Sequence, residues 1–164
     1  MGGEAIAIKA DVSSASEVEA MVDATVAHFG RLDCVSNNAA GGASFAMLPD
    51  MEEARWDRTQ EICLKGVWLC LKYEIPVMLK TGGGAIVNMA SLSGVRGEAM
   101  QSPYSAAKGG VIALTRTAAA EWARDGIRIN AINPGGIRTE GIKRYFEKVP
   151  GAEANTAGVH AMRR

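Results

Sequence analysis

The sequence predicts an α/β fold built around a parallel β-sheet. Short runs rich in β-branched residues alternate with longer segments of helical periodicity along most of the 164 residues, and this alternation is typical of βαβ units. An apolar content of 48% with 22% charged residues fits a packed core. Since no repeat or low-complexity linker interrupts the chain, we expect residues 1–164 to form a single domain.

Four strands are expected, at residues 5–12, 32–40, 85–91 and 127–136. Each is short and largely apolar, and each runs into small or polar residues that mark its end. The segments between them are long enough to cross over the sheet and return in a parallel direction.

The first helix is expected to follow Ser14, because Ser14 and Glu17 have the spacing of a capping box. Gly30 is expected to end this helix. At the other end of the chain, residues 137–164 have weak periodicity, which indicates a short helix and a loop.

Two longer helices are expected in the middle of the chain. One spans residues 51–79, bends near Pro76 and stops at a run of three glycines. The other has Ser102 as its N-cap and Pro103 as its first residue, and it runs to about Arg124.

Composition excludes several classes of function. Eighteen acidic residues balance eighteen basic ones, so no basic field exists to attract nucleic acid or an anionic membrane. Cys34, Cys63 and Cys70 form no C-x-x-C pair and are odd in number, which favours reduced thiols over disulfides or a metal site. No signal peptide, myristoylation pattern or membrane-spanning stretch is found, and we expect a cytoplasmic protein.

Polar residues collect where the four predicted strands end. Asp11 closes the first strand, Asn37–Gly41 the second, Ser91 the third and Asn133–Gly136 the fourth. In an open α/β sheet ligands bind beyond these carboxyl ends. Tyr104 and Lys108 begin the helix after the third strand, and residues at i and i+4 project from the same helical face. We therefore expect the tyrosine and the lysine to face a shared cleft.

Six segments, in order along the chain, resemble the short-chain dehydrogenase/reductase family. They are "ADV", "NNAAG", "LKGVW", "IVNMASLSG", "YSAAK" and "INPGGIRTE", with thirteen positions from Ser91 to Tyr104. Together they cover almost the whole chain. The resemblance implies a partial Rossmann-like, doubly wound parallel sheet of about four strands with flanking helices.

The resemblance also implies hydride transfer between NAD or NADP and a secondary alcohol or ketone. Tyr104 would be the general acid/base, with a pKa lowered by the neighbouring ammonium of Lys108 and by an oxidised nicotinamide. Lys108 would also bind the nicotinamide ribose. Ser91 would hold the substrate oxygen.

The same resemblance supplies cofactor-binding residues. Asp11 and Val12 would lie near the adenine, and Asn38, Ala39 and Ala40 would line the cofactor floor. At the carboxamide end the implied residues are Pro134, Gly135, Ile137 and Thr139, while Tyr104 and Lys108 complete the set.

Each assignment has a purely structural alternative. Ser91 could cap a turn, Asp11 could be a strand-end or N-cap acid, and Asn38 could be a buried amide that pins neighbouring strands. Gly109 and Gly110 fit close helix packing better than ligand contact. The default for His28 and His160 is a surface histidine.

The sequence also departs from the family pattern. It has no glycine-rich TGxxxGxG turn for the pyrophosphate, and it begins at what resembles the family's third strand, so the residues that choose between NAD and NADP are absent. The final "VHAMRR" resembles the loop before the family's last helix and strand. We expect a weakened domain, in which segment 5–12 either docks directly on the sheet or drifts. Cys63 replaces the family asparagine of "NLKG", and Ala40 replaces a glycine.

Three functions follow from this sequence. The first is an NAD(P)-dependent oxidoreductase acting on a small alcohol or ketone. The second is a truncated pseudoenzyme or incomplete gene product that retains only the helices 51–79 and 103–125, through which the resemblance implies a homodimer or homotetramer. The third is a small-molecule binder that uses no nucleotide.

Overall fold

A computed structural model describes residues 2–41 and 44–158. It contains a parallel sheet of three strands in the order β1-β2-β3, at Cys34–Asn37, Gly84–Met89 and Ile127–Ile132. The chain divides into two compact units, with the boundary between Asn133 and Pro134. The sheet and five of the helices belong to the first unit.

The prediction of a strand at residues 5–12 is wrong. This segment pairs with none of the described strands, and Ile6 and Ile8 are 42% and 37% exposed. Strand preference depends on packing against neighbouring strands. In this segment the Asp11 amide donates instead to the Glu17 carboxylate, at 2.9 Å. Two outcomes were expected for residues 5–12, direct docking on the sheet or drift. Docking as a strand of the sheet does not occur.

Helix α1 spans Ala15–Phe29 and has the predicted ends. The Ser14 hydroxyl accepts from the Glu17 amide, and Gly30 adopts the left-handed conformation at φ +79°. The capping box is only half formed, because the Glu17 carboxylate binds the Asp11 amide rather than that of Ser14. Val18 is buried against Leu69 and Cys70 of the following long helix.

The long helix is interrupted earlier than expected. Helix α2 spans Glu53–Gln60, a π-helical segment covers Glu61–Lys65, and α3 spans Gly66–Lys80. Pro76 lies inside α3. A π segment often marks a functional position, and this one contains the buried Cys63.

Helix α4 spans Ser93–Arg96 and α5 spans Ser102–Trp122. The N-cap of α5 is Gln101 rather than Ser102, so the prediction was wrong by one residue. The Ser102 hydroxyl oxygen is buried inside the first turn without a hydrogen-bond partner among the described residues. After a short 3₁₀ turn, Gly126 closes the element at φ +76°.

The core lies between β2, β3 and the helices α3 and α5. Along β3 the buried residues Ile127 and Ile129 alternate with the exposed Arg128 and Asn130, as expected for successive side chains on opposite faces. The shared core residues are Val67, Leu71, Ile75, Met78, Ile86, Ala90, Val111, Ala118, Ile127 and Ile129.

The second unit contains α6, Glu140–Lys148, and α7, Ala152–Gly158. One short helix and a loop were expected here, so the prediction missed the second helix. Arg138 and Glu153 form an ion pair at 3.0 Å within it. Across the described parts of both units, no helix combines the length and the apolar character that a membrane crossing requires.

Candidate active site

Ser91 stands just beyond the carboxyl end of β2. The parallel ladder continues to this point, because the Ala90 amide donates to the Ile132 carbonyl at 2.9 Å. The Ser91 hydroxyl accepts from the Ser93 amide at 3.2 Å, and its proximity to the Tyr104 hydroxyl tends to lower the pKa of that tyrosine. Ser91 therefore caps a turn, as the structural alternative expects, and lies close to the predicted catalytic tyrosine as well.

Tyr104 and Lys108 occupy the first two turns of α5 and face the same side. Tyr104 is half-buried, whereas Lys108 is only 1% exposed. The Lys108 ammonium donates to the Met89 carbonyl at 2.6 Å and lies 5.7 Å from the centroid of the Tyr104 ring. The structure thus brings the three predicted catalytic side chains to one place.

The structure gives Tyr104 a raised pKa, whereas the resemblance implies a pKa lowered by Lys108 together with an oxidised nicotinamide. Burial raises the pKa of Tyr104 above 10, the proximity of Ser91 opposes this increase, and Cys63 adds to it. Burial likewise lowers the pKa of Lys108 below 10.5, with Cys63 acting in the opposite direction. Loss of water disfavours the phenolate, and the lysine ammonium is directed at a backbone carbonyl instead of the phenol oxygen.

Close backbone packing fixes the turn that carries Lys108. A Cβ on Gly94 would lie 2.5 Å from the Lys108 carbonyl carbon, which only glycine avoids. One turn earlier, the Gln60 side chain donates to the Pro103 carbonyl at 2.8 Å. Sequence reasoning missed both residues. Gly94 lies within the quoted family segment, whereas nothing in the sequence marked Gln60.

Gly110 has the packing role that was predicted for it. A Cβ there would lie 2.9 Å from the Leu64 side chain, so the glycine lets α5 approach the π segment. At Gly109 the corresponding distance to the Gly94 carbonyl is an ordinary 3.4 Å.

Cys63 borders the same site. Its side chain is fully buried, and its thiol donates to the Gly41 carbonyl at 3.3 Å. Because Cys63 influences the pKa of both Tyr104 and Lys108, the substituted family position does adjoin the predicted catalytic pair.

A cavity of about 560 Å³ is lined in part by four of the predicted cofactor residues. Asp11, Val12, Ala39 and Ala40 line it, and Lys9, Ala10, Glu17 and Ile62 complete its wall. The alternative role of Asp11 as a strand-end or N-cap acid is wrong, because residues 5–12 form no strand and Ser14 is the N-cap of α1. The Asp11 carboxylate instead accepts from the Ser13 amide at 2.9 Å and pairs with Arg58 at 3.3 Å. These hydrogen bonds, those from Ser13 first, lower the pKa of Asp11.

The buried amide expected at Asn38 is in fact Asn37. Asn38 is exposed, whereas Asn37 is 8% exposed and donates to Glu74 and Asn88, both at 3.1 Å. Consecutive strand residues face opposite sides of the sheet, so the buried amide is one residue earlier in the chain than expected. The exposure of Asn38 leaves it accessible to a ligand.

The remaining predicted cofactor residues, Pro134, Gly135, Ile137 and Thr139, belong to the second unit. There the Thr139 hydroxyl caps α6 by accepting from the Ile142 amide at 3.3 Å, and Ile137 is 59% exposed. Their contact with a cofactor stays a prediction.

His28 takes part in none of the site contacts described above. His28 is exposed and paired with Glu4 at 2.8 Å. His160 lies outside the described residues, as does the terminal "VHAMRR" segment from Val159 onward.

Residues 1–164 match the protein family described as enoyl-(acyl carrier protein) reductase. A 2,5-dichloro-2,5-cyclohexadiene-1,4-diol dehydrogenase of Sphingobium indicum is 38% identical over 99% of this chain. The chain belongs to the short-chain dehydrogenase/reductase family. This family consists of oxidoreductases, and the family membership expected from the sequence is confirmed.

Solved short-chain dehydrogenase/reductase structures superpose closely on this chain. ElxO with bound NADP matches with a TM-score of 0.89 at 33% identity, and an NAD⁺-bound xylitol dehydrogenase with 0.87 at 34% identity. Each comparison covers at least 94% of this chain. The chain spans only 66% of the diol dehydrogenase, 62% of ElxO and 65% of the xylitol dehydrogenase.

Proposed function

We propose that this chain supplies the catalytic centre of an NAD(P)-dependent oxidoreductase that interconverts a secondary alcohol and a ketone. The observation that carries the proposal is the grouping of Ser91, Tyr104 and Lys108, in which the buried Lys108 ammonium lies 5.7 Å from the centroid of the Tyr104 ring and Ser91 is close enough to affect the pKa of Tyr104. The NADP and NAD⁺ bound by the structural relatives support the choice of cofactor.

The chain's residues fit the two ends of such a cofactor. An ammonium group has three N–H donors and Met89 accepts one of them, so the others can bind ribose hydroxyls. The 560 Å³ cavity beside Asp11 and Val12 has a size ordinary for ligand pockets. The sequence contains no glycine-rich turn for the pyrophosphate between these ends.

When bound, the nicotinamide accepts or delivers the hydride. The chain's own groups handle the substrate oxygen and its proton: the Ser91 hydroxyl orients the oxygen, and the Tyr104 phenolate removes the proton of the alcohol. In the reverse direction the Tyr104 phenol returns that proton to the developing alkoxide. Lys108 places a positive charge 5.7 Å from the centroid of the Tyr104 ring, and a nearby positive charge favours the phenolate against the effect of burial.

The raised pKa of Tyr104 predicts how the rate depends on pH. An acid with a raised pKa is deprotonated only at higher pH. Alcohol oxidation should therefore rise with pH through neutrality and into the alkaline range, while ketone reduction should not need alkaline conditions. Initial rates in both directions between pH 6 and about pH 10 would test this.

Titration of the 164-residue chain with NAD⁺ and NADP⁺ tests the function, using cyclic secondary alcohols and the formation of reduced cofactor as the signal. Tyr104→Phe should reduce turnover by about 10²–10⁴-fold, the usual contribution of a general acid/base. Tyr145→Phe, at an exposed tyrosine of the second unit, is the control. Absence of cofactor binding by the unmodified chain would refute the proposal.

We also propose that the chain forms homodimers through α2, α3 and α5. A cavity of about 550 Å³ lies on this surface, lined by Asp57, Gln60, Glu61, Leu64, Lys65, Trp68 and Leu114. Trp68 is 46% exposed, and exposed aromatic residues are enriched at interfaces. For the compartment we propose the cytoplasm, which suits three cysteines that are all free thiols.

Light scattering coupled to size exclusion measures the assembly. The unmodified chain should elute as a dimer, and Trp68→Glu should shift it toward the monomer because a buried unpaired carboxylate opposes association. Tyr145→Glu, at a similarly exposed aromatic residue in the second unit, should leave the mass unchanged. A monomeric unmodified chain would contradict this proposal without affecting the catalytic one.

A further inference from the structure

A chain of buried polar side chains runs beneath the candidate active site. The Asn37 amide donates to Glu74 on α3 and to Asn88 on β2. The Asn88 amide donates to the Thr115 hydroxyl at 3.0 Å, and Thr115 donates to the Val111 carbonyl at 2.7 Å. The chain therefore links β1, β2, α3 and α5 through one continuous set of bonds.

The directions of these hydrogen bonds indicate that Glu74 is the group in this chain whose bonding can change with protonation. Asn37 uses both amide N–H groups, one on Glu74 and one on Asn88, so Glu74 receives a hydrogen bond as a carboxylate would. Its side chain is nevertheless only 3% exposed. Burial of a carboxylate without a cation is costly, whereas the neutral acid gives up half of the acceptor capacity and gains a donor.

Both ends of the Asn37–Asn88 bond adjoin predicted site residues. Asn37 immediately precedes Asn38, Ala39 and Ala40 of the predicted cofactor floor. Asn88 immediately precedes Met89, whose carbonyl holds the ammonium of Lys108. A change in the Glu74–Asn37 bond therefore affects residues that directly precede both the predicted cofactor floor and the carbonyl that holds Lys108.

We propose that Glu74 is a positioning residue that senses pH: gain or loss of one proton at its carboxyl group alters the bond to Asn37 and, through Asn88, the strand tip that holds Lys108. The positioning role rests on the function proposed above. Proton uptake itself does not depend on it.

The electrostatics of the site agree with this inference. Burial raises the pKa of Glu74 to about 7, and the bond from Asn37 only partly opposes the increase. On the same helix, the field of Glu74 adds to the burial that raises the pKa of Cys70 to about 12, so Cys70 stays a neutral thiol.

The elements around α3 bring no counterion to Glu74. Strands β1 and β2 contain no acidic or basic residue, and Cys34 of β1 is exposed. The charged groups and the histidine of α1, α5 and β3 are either exposed or already bonded: Glu17, Glu19, Asp23 and His28 of α1, Arg116 and Glu121 of α5 and Arg128 of β3 are exposed, and Lys108 of α5 is held by Met89.

Side-chain NMR of the isotopically labelled 164-residue chain tests the inference between pH 5 and pH 9. The Glu74 carboxyl carbon, the amide groups of Asn37 and Asn88 and the Met89 carbonyl should all shift with one common midpoint near pH 7. Glu74→Gln keeps an acceptor for Asn37 but cannot titrate, so the common midpoint should disappear from the three remaining groups. Glu121→Gln, at an exposed carboxylate far along α5, should retain it.

Two results would overturn the inference: a Glu74 midpoint near the ordinary value of about 4.3, or shifts at Asn37, Asn88 and Met89 that persist in Glu74→Gln. In the active enzyme, Glu74→Gln should flatten the change in kcat around pH 7 with little effect on KM, which a purely structural role would not do. A chain that titrates as described but lacks turnover would refute the proposed function and leave the proton-sensing group established. Turnover without the titration would refute only this inference.

Discussion

The two ends of the candidate site are built differently. Ser91 and Tyr104 are half-buried and Lys108 is buried. Ser91 and Lys108 are bonded to neighbouring backbone groups, and the backbones of α4 and α5 are in close contact at Gly94. Around Asp11 and Ala39 the residues are exposed, and the bonds of Asp11 go to nearby Ser13 and to Arg58. The first end is preorganised by the core, whereas the second depends on a segment that joins no strand.

This difference predicts that substitutions at one end affect mainly catalysis and substitutions at the other affect mainly cofactor affinity. Preorganised donors in a buried site contribute far more than exposed ones. Variants at the Tyr104 end should therefore lower turnover strongly, and variants at the Asp11 end should weaken binding by smaller amounts.

Lys108→Met should reduce kcat by about 10²–10³-fold, the usual loss for removal of one preorganised electrostatic donor. Methionine is close to lysine in length but leaves the Met89 carbonyl without its ammonium. Stopped assays over several hours measure the residual rate. Lys80→Met, at an exposed lysine at the end of α3, should behave as the parent; equal losses in both variants would remove the distinction between the two ends.

Gly94→Ala should destabilise the first unit by about 1–3 kcal/mol, the usual cost of overpacking. Its new methyl group would overlap the Lys108 backbone at 2.5 Å and push α4 away from α5. Thermal unfolding followed by circular dichroism measures the loss. Gly109→Ala is the matched control, since its methyl group meets only an ordinary 3.4 Å contact and alanine favours a helix by up to about 1 kcal/mol.

Cys63→Ser should change stability by about 1 kcal/mol or less, because the hydroxyl can still donate to the Gly41 carbonyl. Cys63→Val removes that donor and should cost more, in the range of about 1–3 kcal/mol for an unsatisfied buried carbonyl. Urea denaturation distinguishes the two variants. A valine variant as stable as the parent would show that the thiol holds no part of the Gly41 loop.

Asp11→Asn should have the smallest effect. Asp11 is exposed, and surface ion pairs such as that with Arg58 contribute little to stability. The expected result is an unchanged melting temperature with a raised KM for the cofactor and an unaltered kcat. Since the pKa of Asp11 is lowered, any stabilisation it supplies is present above its unfolded pKa and is lost as the pH falls through the folded value. A fall in kcat at saturating cofactor would place Asp11 with the Tyr104 end after all.

Local signals in the sequence were sufficient for much of this structure. Ser14 and Gly30 mark both ends of α1 because capping is decided within one helical turn. The proximity of Ser91 to Tyr104 and Lys108 was also predictable, since strand ends in a parallel sheet meet at one edge. The family resemblance added the chemistry that spacing alone does not provide.

Features that depend on distant partners were not predictable. Residues 5–12 have a strand-like sequence but lack a strand to pair with among the described residues. The sign of the Tyr104 pKa shift depends on burial by the whole fold, and the choice of Asn37 over Asn38 as the buried amide depends on strand phase. The π segment at Glu61–Lys65 has no motif that marks it in the sequence.

The outer edge of β1 has a practical consequence. Residues Cys34–Asn37 pair with β2 on one side only, so their other backbone groups are available as a template for a foreign strand. At high concentration, the β1 edges of two molecules would pair and form insoluble aggregates. Cys34, exposed at the start of this strand, would then form intermolecular disulfides on oxidation. Keeping the purified chain dilute and in reductant therefore protects this edge of the sheet.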